Sequence, residues 1–351
     1  MKILILSLAV GLGIIFGIFP GLDKKKSMLF KIAVIVLVFV TVLLGLIPPI
    51  GINTLGAYDL SRMNYSNPIN VNLRIKPSAN KFDAEKQRWT LGIRDDIENY
   101  DLPPVIVKGT RLPEEFSKEN NLVIKVLFNK GVNEYNYIST SAINPAIMYP
   151  FIPALEERVR IITFHVPMAW ISVLAYLISM IFSIKYLRTR NHEYDLKASS
   201  AAALGFVFTI LATLTGMLWA KYNWGSYWNW DPREVSIFIL LLIYAAYFAL
   251  RSSLENEELR ARLSSVYSIL AFITVPFLIF ILPRIQSGLH PGSASDTTSG
   301  PVLSSQPGTM DTAMLYVFGL SMMVFTMLFF WLLNMNIRSK LLNEKLNKRF
   351  E

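Results

Sequence analysis

Seven apolar runs, at residues 3–19, 28–50, 161–186, 201–220, 235–250, 264–282 and 313–333, are each near the length that crosses a bilayer. In lipid a backbone must satisfy its own hydrogen bonds, so these runs predict helices, and the fold class expected is a polytopic α-helical membrane protein. Composition agrees: the chain is 53% hydrophobic and only 17% charged. The first run follows Lys2 like a signal-peptide core, but no small-residue cleavage pattern follows it, so it reads as a retained helix.

The formal charge is +9, and Lys and Arg concentrate in short links at residues 24–26, 185–197 and 251–262 and in the tail at 338–349. That distribution places those segments in the cytoplasm and argues against a groove for nucleic acid. It puts residues 51–157, the link around 224–233 and the segment 283–311 together on the outer face. The absence of cysteine excludes disulfides, thiol redox chemistry and thiolate-held metals, which leaves the three histidines as the main metal ligands. The expected divisions are two helices in 1–50, an outer β domain in 51–157, a five-helix core in 158–342 and a cytoplasmic tail in 343–351. Within the β domain, short β-patterned runs at 69–75, 89–94, 105–108 and 122–128 suggest a small barrel or sandwich, and an OB-like barrel is expected.

Between the fourth and fifth runs lies WGSYWNWDPR, residues 224–233. Trp224, Trp228, Trp230 and Tyr227 fall within seven residues. An aromatic belt at the membrane interface would account for such rings without any fixed spacing. Here Gly225 permits a tight bend, Pro232 restricts entry to the next helix, and Asp231 and Arg233 set opposite charges beside the rings. Together they predict a flat aromatic shelf with polar edges, suited to a planar macrocycle bearing acidic groups.

His165 lies at the outer end of the third run and His290 in the last outer loop, so the two flank the aromatic loop on one face. Neutral imidazoles approaching from two sides can hold a haem iron, and Arg158, Arg160, Lys221, Arg233 and Arg284 can meet its propionates. Blander readings hold elsewhere. His192 sits in a basic link, Met217, Met314, Met322 and Met323 read as packing residues, and Asp231 and Glu234 read as helix-start carboxylates with no part in proton transfer.

Three segments carry a family resemblance: RIITFHVP at 160–167, residues 215–219 leading into the loop at 224–233, and LHPGS at 289–293. They resemble the CcmC-type cytochrome c biogenesis proteins, within the haem-handling group marked by a tryptophan-rich WWD signature, over about 31–50 and 158–342. The resemblance implies that His165 and His290 are axial ligands of a non-covalently and transiently held haem b. It makes Trp224, Trp228, Trp230 and Asp231 the platform, with Tyr227 and Arg233 beside it. It also implies a non-enzymatic carrier in the bacterial inner membrane, working at the periplasmic side with ABC-transporter subunits of CcmA and CcmB type and a CcmE-type haem chaperone.

Two departures stand out: the family usually has six spans, and it does not carry a hundred-residue outer insertion after its first helix. The insertion itself resembles the CcmE-type OB-fold chaperone through VIVKGTRLPEEF at 105–116, with one extra residue between Gly109 and Leu112. That family's covalent haem-binding histidine would fall near 141–149, where this chain has neither His nor Cys. The resemblance therefore implies docking or gating, with Tyr149 packing on haem. Two other functions compete. WDPRE suggests a CcsA-like component of a haem lyase, although no apolar run has an interior histidine, and a cofactor-free assembly scaffold would also use an aromatic loop.

Overall fold

The computed structural model describes residues 2–46, 54–55, 68–93, 103–144, 160–290, 292–294 and 312–350. The chain divides into two compact units, one of helices and one built on a β-sheet.

The helical unit contains α1 (Lys2–Ile18), α2 (Met28–Leu46), α3 (Arg160–Thr189), α4 (His192–Trp224), α5 (Pro232–Ser253), α6 (Glu257–Pro276) and α7 (Thr312–Phe350). A π-turn at Phe277–Ile281 and a short turn at Leu282–Ile285 continue α6. Among the described residues six helices are long and apolar enough to cross a membrane, which makes this a polytopic membrane protein; α1, at 17 residues, is a shorter apolar helix. Several helices outrun their apolar stretches. Asn191 caps α4 within the link read from sequence as basic, its side chain accepting from the Glu193 N–H at 3.0 Å. At the other end, α7 continues through the basic tail at 338–349.

The link between α1 and α2 is held by polar groups. Lys26 Nζ donates to the carbonyls of Gly17 (2.6 Å), Ile18 (3.1 Å) and Phe19 (2.6 Å). A cation thus meets the orphan acceptors and negative dipole end of α1. Asn334 of α7, 1% exposed, donates through Nδ2 to the carbonyls of Leu22 (2.7 Å) and Lys24 (2.8 Å).

Inside the unit, α3 joins its neighbours through bonds between small polar side chains as well as apolar packing. Tyr176 Oη and Thr209 Oγ1 meet at 2.8 Å, and Ser179 Oγ and Ser268 Oγ at 3.0 Å. Pro167, within α3, has no N–H for the carbonyl one turn back, that of Thr163. Ser321 of α7 donates its hydroxyl to that carbonyl. The basic residue Arg251 is also structural: its guanidinium forks onto the buried Asp195 at 2.7 and 2.9 Å.

Among its described residues the second unit carries seven strands: β1 (Thr54–Leu55), β2 (Ile69–Arg74), β3 (Lys81–Asp83), β4 (Arg88–Thr90), β5 (Val105–Lys108), β6 (Asn121–Asn129) and β7 (Glu134–Ile143). They form one sheet in the order β1-β2-β6-β7-β5-β4-β3, with β1/β2 and β5/β7 parallel and the other pairs antiparallel. An antiparallel bridge between Ile75 and Ile93 links the segment after β2 to the segment after β4. Alternate residues Val71, Leu73 and Ile75 point inward with Val105, Val107 and Ile124, and Phe116 is fully buried among them. The LPEEF turn thus supplies a core plug.

Replacing Asn334 by Ala leaves two carbonyls of the α1–α2 link without their donor. It should lower unfolding stability in detergent by about 1–3 kcal/mol, as followed by denaturant titration with circular dichroism.

Candidate cofactor-binding site

Trp224 is the last residue of α4, and Gly225 closes that helix in the left-handed conformation, φ 83°. Lys221 Nζ donates to the Gly225 carbonyl at 3.0 Å and lies 5.4 Å from the centre of the Tyr227 ring. The loop then turns through Trp230, φ 55°, into α5. Asp231 and Glu234 form a reciprocal capping box there, with Pro232 at the first helical position, where no N–H is needed. Glu234 Oε2 also accepts from the Asn229 N–H at 2.7 Å. The helix-start role read for both carboxylates is what the structure shows.

The aromatic rings do not lie flat. Trp228 meets Trp230 edge to face, with ring centres 5.8 Å apart and planes at 89°, and Phe238 at 6.3 Å and 78°. Trp230 is 71% exposed and Tyr227 51%. The rings expected from the sequence as a flat shelf are thus not coplanar, since Trp228 and Trp230 cross at 89°. Perpendicular packing is favoured because the positive edge of one ring meets the negative face of another.

His290 belongs to this assembly. Its ring meets Trp224 at 4.6 Å and 71°, and its Nδ1 lies 3.0 Å from Asp231 Oδ1. The same carboxylate accepts the Arg233 N–H at 2.9 Å on Oδ1 and the Leu289 N–H at 2.7 Å on Oδ2. The close approach depends on Gly288, since a Cβ there would sit 2.7 Å from Asp231 Oδ2 and 3.0 Å from Pro232 Cδ. Burial pushes the Asp231 pKa up, but the bonds from His290 and the two N–H groups, with the charge of His290, outweigh it and hold it down at about 2. An ionised carboxylate only accepts, so His290 in its neutral form carries its proton on Nδ1 and presents Nε2 as the free lone pair.

His165 reaches the same state on a different scaffold. Its Nδ1 lies 3.0 Å from the Ala212 carbonyl and 3.1 Å from Thr215 Oγ1, both on α4. The Thr215 hydroxyl proton is spent on the Leu211 carbonyl at 2.8 Å, so both neighbours accept and Nε2 is again the free nitrogen. Gly216 makes room for the ring: a Cβ there would lie 3.0 Å from its Cε1. The two imidazoles are close enough to interact electrostatically, and Arg233 acts on His165 as well.

The structure therefore gathers His165, His290, Trp224, Asp231 and Arg233, with Trp228, Trp230 and Tyr227 on the adjoining loop. Arg284 is near enough to act on Arg233. Arg160 opens α3, whereas Arg158 and Tyr149 lie outside the described residues. His192 pairs with Glu344 at 2.8 Å, in keeping with its bland reading. Met322 is buried as a packing residue. Sequence reasoning missed Gly288, Thr215 as an imidazole partner, and the Asp231–His290 contact. The signal available for the last was Asp231 itself, a helix-start carboxylate with a second oxygen to spend.

This is the arrangement of a polytopic membrane protein that presents two oriented imidazoles beside a tryptophan-rich loop. A family model described as CcmC, Heme exporter protein C, matches residues 137–350, and the chain belongs to that family. It is 33% identical over 189 residues to the Heme exporter protein C of Paracoccus denitrificans, covering 54% of this chain and 75% of that protein. The Rhodobacter capsulatus protein of the same name is 34% identical over 146 residues, 41% of this chain and 60% of its own. A putative cytochrome c biosynthesis ccmC-like mitochondrial protein of Marchantia polymorpha is 36% identical over 139 residues, 40% and 58% respectively.

The Asp231 carboxylate falls from an ordinary 3.8 to about 2 on folding. A value lowered in the folded state stabilises above the unfolded pKa and ceases to do so as pH falls through the folded one. The difference in unfolding free energy between the wild type and Asp231→Asn should therefore be constant above about pH 5 and shrink by roughly 2 kcal/mol towards pH 2, read from denaturant titrations across that range.

Proposed function

We propose that this protein holds haem b non-covalently and transiently at the periplasmic face of the bacterial inner membrane. From there it delivers the haem to a CcmE-type chaperone for cytochrome c maturation, with ABC-transporter subunits of CcmA and CcmB type. The observation that carries this reading is the matched state of His165 and His290, each with Nδ1 committed to an acceptor and Nε2 left as a lone pair. A ligating histidine has this form, its other nitrogen fixed by a carbonyl or carboxylate. The names of the relatives, heme exporter and cytochrome c biosynthesis proteins, support the same reading.

In this reading His165 and His290 would hold the haem iron through their Nε2 atoms. Trp224, Trp228, Trp230 and Tyr227 supply apolar surface to the macrocycle. Arg233, Arg160, Lys221 and Arg284 supply cations for its carboxylates. Asp231, whose side chain is only 1% exposed, contributes by orienting His290. The carrier in this reading has no covalent bond to make or break, so no residue is given a catalytic role.

We read residues 1–50 as two helices, 51–157 as an OB-like domain, 158–342 as the haem-handling core and 343–351 as a cytoplasmic end. The OB-like reading is supported by a strand order that runs from β2 through β6, β7, β5 and β4 to β3, with the Ile75–Ile93 bridge pairing the segment after β2 with the segment after β4. Without His or Cys at 141–149, that domain serves docking or gating of the chaperone and does not carry haem covalently.

Protein purified in detergent from haem-replete cells should show a Soret band of a six-coordinate haem. The band should weaken in His165→Ala and His290→Ala and vanish in the double variant. A wild type that neither holds nor takes up haem overturns the reading.

A further inference from the structure

The distances at the two histidines are nearly equal: Nδ1 to acceptor is 3.0 Å at His290, and 3.0 and 3.1 Å at His165. The acceptors differ in charge. His290 faces a carboxylate, and His165 a neutral carbonyl and a neutral hydroxyl. A hydrogen bond to an ionised acceptor is roughly twice as strong as one between neutral groups, and it passes electron density to the far nitrogen of the ring. The charge is also shielded from water, since the Asp231 side chain is 1% exposed.

Against this stands the rigidity of the supports, because His165 rides on a helix and His290 on a loop. The loop is tightly held, however. The Leu289 N–H is bonded to Asp231, Ser293 Oγ donates to the Gly288 carbonyl at 2.9 Å, the Ala294 N–H to the Gln286 carbonyl at 3.0 Å, and Trp224 packs on the ring. Charge is therefore the difference that remains.

We infer that the two histidines are unequal ligands: His290, backed by the Asp231 carboxylate, is the one that retains the iron, and His165, backed by neutral groups, is the one that yields first on transfer. This rests on the haem reading above and makes Asp231 a positioning residue that sets ligand strength. It gives the carrier a direction of release, with one bond made to last and the other made to exchange.

The test follows haem loss to excess apomyoglobin from the detergent-purified protein. His165→Ala should release haem about 10-fold more slowly than His290→Ala. Asp231→Asn keeps a good helix N-cap while removing the charge. It should speed release from the otherwise wild-type protein by about 10–100-fold and move the reduction potential of the bound haem positive, whereas Thr215→Val should leave that potential nearly unchanged. In the haem-free protein, nitrogen-15 NMR of labelled histidine should show both residues protonated on Nδ1. Equal or reversed release rates, an unmoved potential in Asp231→Asn, or a His290 protonated on Nε2 would each overturn the inequality while leaving haem binding intact. A wild type that never takes up haem removes the binding reading itself, and the inference with it.

Discussion

The Asp231 carboxylate is the point on which the site turns. It caps α5, pins the segment around Leu289 and orients His290, using both oxygens to do so. A buried charge is costly unless its lone pairs are filled, and here they are filled by two backbone N–H groups and an imidazole. The neighbours fit that requirement. Pro232 needs no donor at the helix start, and Gly288 has no side chain to hold the incoming loop away. The aromatic loop, the start of α5 and the His290 segment are thereby coupled, so a change that displaces one displaces the others.

His165 is placed by helix packing instead. The proline two residues on interrupts α3, and the carbonyl it frees is taken by Ser321 of α7, while the imidazole itself is taken by α4. Three helices thus converge within one turn of the ring. In an apolar core each of these bonds would be missed if broken, because no water stands ready to replace it. One imidazole is held by a loop wrapped round a charge and the other by bonds between helices, yet both offer the same nitrogen.

The helices were legible in the sequence because lipid demands long apolar runs; their ends were not. His192–Trp224 begins in a link that reads as basic and polar, where Leu196 and Asp195 are buried and Asp195 is matched to Arg251, a residue that reads from sequence only as a topological charge. Strand β7, EYNYISTSAI, went unread because it is polar and only Tyr135 of it is fully buried. The two histidines and the tryptophan loop stood out by residue type and spacing. The Asp231–His290 contact, between residues 59 apart, leaves no periodic trace, and neither does the crossing of Trp228 and Trp230. Orientation of side chains depends on tertiary packing, which a one-dimensional pattern does not encode.

The two units differ in what they need from the rest of the chain. The sheet encloses its own apolar set, with Val71, Ile124, Phe116 and Tyr135 completely buried within it, and the helical unit encloses another around Ile171, Ala201 and Phe329. A domain that buries its own core can be inserted between α2 and α3 without asking the helices to repack. The ligand set, its acceptors and the aromatic loop all lie in the helical unit, between Arg160 and Ser305. The two histidines and the acceptors that orient them are thus placed by the helices alone, and the sheet unit holds no imidazole or thiolate of its own.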